Sequence, residues 1–165
     1  MKIMVFGHKR HGKDTVCEIL RDKYAMTFAS SSEFSCHKFI YEAMRVRYFY
    51  KSPERCFEDR VNHRQYWFEA IRDYNAKDRS RLGREIFNEN DIYCGIRDKE
   101  EFVSLRNDEL FDVAVWVDAS GRLPPEDASS MTLDASYADI VLDNNGSLEE
   151  LIANIDKLVM ELIKT

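Results

Sequence analysis

The chain is poor in residues that interrupt structure. Three prolines and six glycines among 165 residues are too few for a disordered or low-complexity protein. No apolar stretch approaches the ~20 residues that a membrane span needs. The apolar run that starts at Met1 leaves no room for a signal peptide, so a cytoplasmic location without membrane contact is expected. Cys17, Cys36, Cys56 and Cys94 form no C-x-x-C pair. They are expected as free, partly core-packed thiols rather than as a metal set with His8, His11, His37 and His63. No repeat or linker is visible, and the length suits one domain over residues 1–165. Positive charge is also short: the net charge is −6, which argues against the broad cationic footprint of a general DNA-coating protein.

The positive charge that exists is concentrated. Residues 45–84 carry eleven Lys/Arg against six Asp/Glu, whereas residues 85–165 carry six against nineteen. That layout suits a local basic cleft for a phosphorylated substrate.

The most informative stretch is the first twenty residues. An apolar strand over residues 1–6 runs into Gly7-His8-Lys9-Arg10-His11-Gly12-Lys13-Asp14-Thr15, and a helix is expected over 15–24. The spacing is G-x-x-x-x-G-K, the phosphate loop, with Asp14 where Ser or Thr usually stands. Backbone N–H groups and the positive helix end would cradle phosphates, and Lys13 would neutralise their charge. The expected ATP site is Gly7, Lys9, Arg10, His11, Gly12, Lys13, Asp14 and Thr15, with His8 completing a cationic loop. Thr15 and Asp14 are the candidate Mg²⁺ contacts. Asp14 has three open roles: magnesium-shell carboxylate, orienter of the acceptor, or helix cap.

Further along, strands are expected at 26–29, 92–96, 113–117 and 138–142, joined by helices. The order implies an α/β fold with a five-stranded parallel sheet and right-handed crossovers. Ligands in such sheets bind at the carboxyl ends of the strands. Those ends are Gly7, the Ser30–Glu33 region, Arg97-Asp98 and the stretch from Asp118 to Arg122. A helical insertion over about 32–88, with breaks near Asn62 and over 75–78, holds nine arginines, including Arg81 and Arg84. Each is more simply a solvated side chain, but two or three reaching a phosphate would make bidentate contacts. Tyr66, Trp67, Phe68 and Tyr74 are either core or a base-stacking wall. Residues 119–136 form a lid-like loop whose one cation is Arg122, beside Glu126 and Asp127. Ser147 followed by Glu150 reads as a capping box opening an amphipathic last helix.

Three segments resemble the bacteriophage deoxynucleoside monophosphate kinases. One is the Gly12-Lys13-Asp14-Thr15 ending of the loop. The second is Gly95-Ile96-Arg97-Asp98-Lys99-Glu100-Glu101 ahead of the 113–117 strand. The third is the tail from Ala138 to Leu151, ADIVLDNNGSLEEL. Leu82-Gly83-Arg84 is weakly similar to a central segment of that family. Two departures stand out: Gly95 replaces the Asp of the family's D-x-R, and Asp118 stands where an arginine is common.

The resemblance implies a P-loop, nucleoside monophosphate kinase-like three-layer sandwich, and a kinase in the host cytoplasm that uses ATP and Mg²⁺ on a nucleotide substrate. Lys13, Asp14 and Arg97 would be catalytic. Ser31, Glu33, Phe34, Arg81, Arg84, Arg97 and Asp98 would line the acceptor site, and Arg122 would close over ATP. Related kinases phosphorylate 5-hydroxymethyluracil in DNA, so modified DNA is the alternative acceptor. A nucleotide-binding regulator without catalysis is a third reading, and the pattern leaves room for a homodimer.

Overall fold

The computed structural model describes residues 1–164. Five strands run parallel in the order β2-β3-β1-β4-β5: β1 (Ile3–Phe6), β2 (Phe28–Ser30), β3 (Ile92–Cys94), β4 (Val113–Asp118) and β5 (Ile140–Asp143). Ile3 pairs with Ile92 on one side and with Val113 on the other, so β1 is central.

Strand alternation builds the layers. Ile3, Val5, Ile92, Cys94, Val113, Val115 and Val117 face one way, onto Val16, Cys17 and Leu20 of α1 (Lys13–Tyr24) and Leu151, Ile155, Leu158 and Val159 of α8 (Leu148–Lys164). Met4, Phe6, Tyr93, Ala114 and Trp116 face the other way, onto α6 (Arg81–Glu89) and α7 (Lys99–Asn107). Both sheet faces are covered, which is why 113–117 reads as a near-continuous apolar run.

The helical block between β2 and β3 has a small core of its own. It comprises α2 (Ser31–Ser35), a π-helical turn (Cys36–Ile40), α3 (Tyr41–Tyr48), α4 (Pro53–Glu58), a 3₁₀ turn (Asp59–Asn62) and α5 (Arg64–Tyr74). Cys36, Ile40, Met44, Cys56 and Trp67 are buried together there. The expected breaks near Asn62 and over 75–78 are present. The final helix of the expected insertion, α6, belongs instead to the sheet's covering layer, through Leu82, Ile86 and Phe87. Trp67 is core, Tyr74 stacks on Phe39 with centroids 4.2 Å apart, and Tyr66 and Phe68 are exposed.

β3 ends at Cys94 rather than at 96, with Gly95 at φ 90°, and the starts of β2 and β5 fall later than expected for local reasons. Met26 is taken up by the end of α1: Ala25 adopts φ 55° and donates to Arg21 O, and Met26 N donates to Leu20 O. This double closure delays β2 to Phe28. At β5, a 3₁₀ turn (Ala135–Tyr137) precedes Asp139, whose carboxylate accepts the N–H of Ala114, so the strand begins at Ile140. The capping box is as read: Ser147 N donates to Glu150 Oε2 (2.7 Å) and Glu150 N to Ser147 Oγ (3.2 Å). All four cysteines are free and buried. Among the described residues no helix is long and apolar enough to cross a membrane.

One ionisable side chain lies deep in the second layer. Glu101, in the first turn of α7, is buried and accepts the hydroxyl of Tyr93 at 2.8 Å. Burial raises its carboxyl from 4.5 to about 7. A carboxyl raised in the fold contributes stability that is full below its unfolded value and is lost as pH rises through the folded value. Glu101→Gln should therefore gain stability relative to wild type between pH 4.5 and about 7, by roughly 3 kcal/mol at most, and show no further gain above. Urea denaturation across that pH range checks it; a flat difference would refute the buried-carboxyl account.

Candidate active site

Because the sheet is all parallel, the segments following all five strands emerge at one edge. The glycine-rich loop sits at the centre of that edge. Gly7 has φ +151°, and a Cβ there would lie 2.6 Å from Val117 O. Gly12 has φ +99°, and a Cβ would strike the Asn144 amide. Both positions therefore require glycine. Arg10 is a non-glycine residue in the left-handed region, at φ 65°.

The loop is held from outside itself. His11 is fully buried. Its Nδ1 accepts the N–H of Ala119, just past β4, at 3.1 Å, and its Nε2 lies 3.1 Å from the carbonyl of Pro124. An acceptor at Nδ1 and a donor at Nε2 assign the neutral Nε2–H tautomer. The His11 carbonyl accepts Asn144 Nδ2 at 2.8 Å, and Asn144 N donates to Asp118 O at 2.7 Å. His8 accepts the N–H of Glu126 at Nδ1, 3.1 Å away, and its ring packs edge-on against Trp116. Burial is the main reason its pKa falls below 6.5. The structure thus places both loop histidines against the 119–136 segment, while Lys9 and Arg10 are exposed.

Lys13 opens α1 and donates from Nζ to the His8 carbonyl at 2.8 Å. Its pKa is lowered first by burial and then by the charge of Arg97. Asp14 is exposed in the first turn of α1, and Cys94 Sγ donates to its Oδ1 at 3.6 Å. Gly12 occupies the N-cap without a side-chain bond, so Asp14 does not cap the helix by a side-chain bond. No group of three or more His, Cys, Asp or Glu side chains is arranged for a metal among the described residues. Asp14 and Thr15 offer one carboxylate and one hydroxyl, a donor set that suits Mg²⁺ held mainly by phosphates and water.

The remaining candidates divide. Arg97 follows β3 at the same edge and forms an ion pair with Glu126. Arg122 lies there too, its Nε donating to Asn144 O at 2.8 Å. Asp98 caps α7, accepting Glu101 N at 3.0 Å. Ser31 Oγ donates to Gly95 O at 3.4 Å. Glu33 and Phe34 instead line an open groove of about 430 Å³ beside edge strand β2, with Phe28, Ala29, His37, Lys38 and Glu89. Arg81 lies over the Tyr74 ring, 3.9 Å from its centroid, and pairs with Glu85. Arg84 pairs with Asp78 and with Asp108, past the end of α7. The contacts found for these four are with the groove beside β2 and with neighbouring helices.

Two residues central to this edge carried no motif. Asn144 reads in sequence as a turn residue, and Glu126 as an acidic neighbour of Arg122. Their roles depend on contacts 133 and 29 residues away along the chain.

No family model matches the sequence, and no curated protein matches it in sequence. Solved structures do match in fold. Shikimate kinase from Aquifex aeolicus superposes with a TM-score of 0.51 at 19% identity, covering 99% of this chain and 97% of that one. Shikimate kinase from Bacteroides thetaiotaomicron gives 0.52 at 10% identity, covering 100% and 99%. The expected architecture, a three-layer α/β fold with a five-stranded parallel sheet, is therefore the observed one, and it is the fold shared with these two kinases.

Asn144→Ala should cost about 1–3 kcal/mol of stability, because it leaves the buried His11 carbonyl without its donor. Chemical denaturation measures it, and a loss below 0.5 kcal/mol would mean that water replaces the amide at ~no cost.

Proposed function

We propose that the protein is an ATP-dependent phosphotransferase that moves the γ-phosphate onto a deoxynucleoside monophosphate. The observation that carries the reading is the G-x-x-x-x-G-K loop at the carboxyl end of the central strand, with Lys13 and Arg97 both turned toward it. Loop N–H groups and Lys13 would hold the donor phosphates. Mg²⁺, when bound, would neutralise charge on the β- and γ-phosphates, with Thr15 and Asp14 as its protein oxygens. Arg97 would hold the transferred group or the acceptor phosphate, and Ser31 at the end of β2 lies on the acceptor side. In the transfer an acceptor phosphate oxygen bonds to the γ-phosphorus while the bond to the β–γ bridging oxygen breaks, leaving ADP. Such chemistry rests on positioning and charge neutralisation.

A second acceptor class, a modified base within DNA, is favoured by one feature of the helical block. Among the described residues Arg47, Arg64 and Arg72, on α3 and α5, have no ion-pair partner; Arg47 lies over the partly exposed Tyr48 ring and Arg72 over the exposed Phe68 ring.

An acceptor screen decides between them. ATP consumption is measured with the four deoxynucleoside monophosphates and, separately, transfer of labelled γ-phosphate to hydroxymethyluracil-containing DNA. Turnover with at least one mononucleotide is expected, and Lys13→Ala should lower it by ~10²-fold or more, as loss of a preorganised charge does. Label in DNA with no mononucleotide turnover would select the second class. ATP binding without any turnover would leave a nucleotide-binding regulator.

A further inference from the structure

We propose that Glu126 is a built-in competitor for the phosphate site: residues 119–136 latch over the glycine-rich loop, and the Glu126 carboxylate holds the cations that a nucleotide's terminal phosphates must take. This rests on the phosphate-binding reading of that loop.

The latch has two backbone anchors, both on loop histidines. The Pro124 carbonyl meets His11 Nε2, and the Glu126 N–H meets His8 Nδ1, each at 3.1 Å. A third tie lies beyond them, where Thr132 N donates to the Arg97 carbonyl at 3.1 Å. Between these anchors the Glu126 side chain turns inward and is only 9% exposed. One carboxylate oxygen pairs with Arg97. The other, Oε1, is buried with no hydrogen-bond partner.

A buried carboxylate oxygen without a donor is costly unless nearby cations compensate. Arg97 does so by contact, and Lys13 is close enough for Glu126 to raise its pKa against burial. Lys13 meanwhile directs its ammonium back to the His8 carbonyl. Arg97 is thus already paired within the chain, and Lys13 lies in the field of the same carboxylate. A carboxylate and a phosphate cannot share that position, because like charges at such separation repel strongly. Binding of the phosphates must therefore displace Glu126, and the energy of the Arg97–Glu126 pair is subtracted from affinity. Asp127, next in sequence, is exposed and turned to Ser129 N, so it bears the same charge without occupying the site.

Calorimetric titration of the full chain with ATP and with inorganic tripolyphosphate, both with Mg²⁺, tests this. Glu126→Gln should bind both probes about tenfold more tightly than wild type, a change of ~1.4 kcal/mol, while Asp127→Asn should leave affinity unchanged. Trp116, packed against His8, should report the same opening: ATP should shift its fluorescence in wild type, and Glu126→Gln should show part of that shift before ATP is added. If Glu126→Gln binds no more tightly while Lys13→Ala abolishes binding, the latch is overturned and the phosphate-loop reading stands. If Asp127→Asn tightens binding as much, general loop charge is responsible and the latch is likewise overturned. If neither wild type nor Glu126→Gln binds either probe, both readings fall together.

Discussion

The functional edge of this protein depends on one buried imidazole. His11 takes a hydrogen bond from the chain after β4 and offers one to Pro124 in the 119–136 segment, while its own carbonyl is held by Asn144 after β5. A loop with two positive-φ glycines and a left-handed Arg10 has little conformational preference of its own. Its shape is set by these tertiary bonds. They are available because every strand runs the same way and so delivers its carboxyl end to the same edge.

Charge follows the same division between the edge and the rest of the molecule. Of the nine arginines over residues 45–84, four are taken up by carboxylates nearby in the chain, Arg45 by Glu42, Arg55 by Glu58, Arg81 by Glu85 and Arg84 by Asp78. Such exposed pairs contribute little to stability and serve mainly to solvate helix faces. At the edge, Lys13 is largely withdrawn from water and feels Arg97 as a like charge. A largely buried ammonium beside an exposed guanidinium favours an anion between them, and Glu126 supplies one to Arg97.

Much of the fold was legible in the chain because its signals are local. The run from Ile3 to Phe6, the alternating faces of 113–117, the Pro53 helix start and the Ser147–Glu150 box all act within a few residues. Local chemistry also explains the misplacements. The start of β2 was obscured by the left-handed Ala25, since a non-glycine C′ residue gives little warning. The π-helical turn at Cys36–Ile40, inside an apparently continuous helix, likewise left no mark in the apolar spacing. Among the site residues, Glu33, Phe34, Arg81 and Arg84 lie on helices whose place in the chain says nothing about which neighbours their side chains meet.

By itself, then, the sequence determined the elements, the parallel α/β architecture and the place of the glycine-rich loop at the end of the first strand. Each of these rests on periodicity, caps and glycine spacing within about ten residues. Tertiary structure alone decided that α6 joins the covering layer, that His11 is a buried strut, and that Glu126 faces Arg97 across the loop. Those outcomes depend on which strand lies beside which. The order β2-β3-β1-β4-β5 brings residues more than a hundred positions apart into contact, and no short-range pattern encodes it.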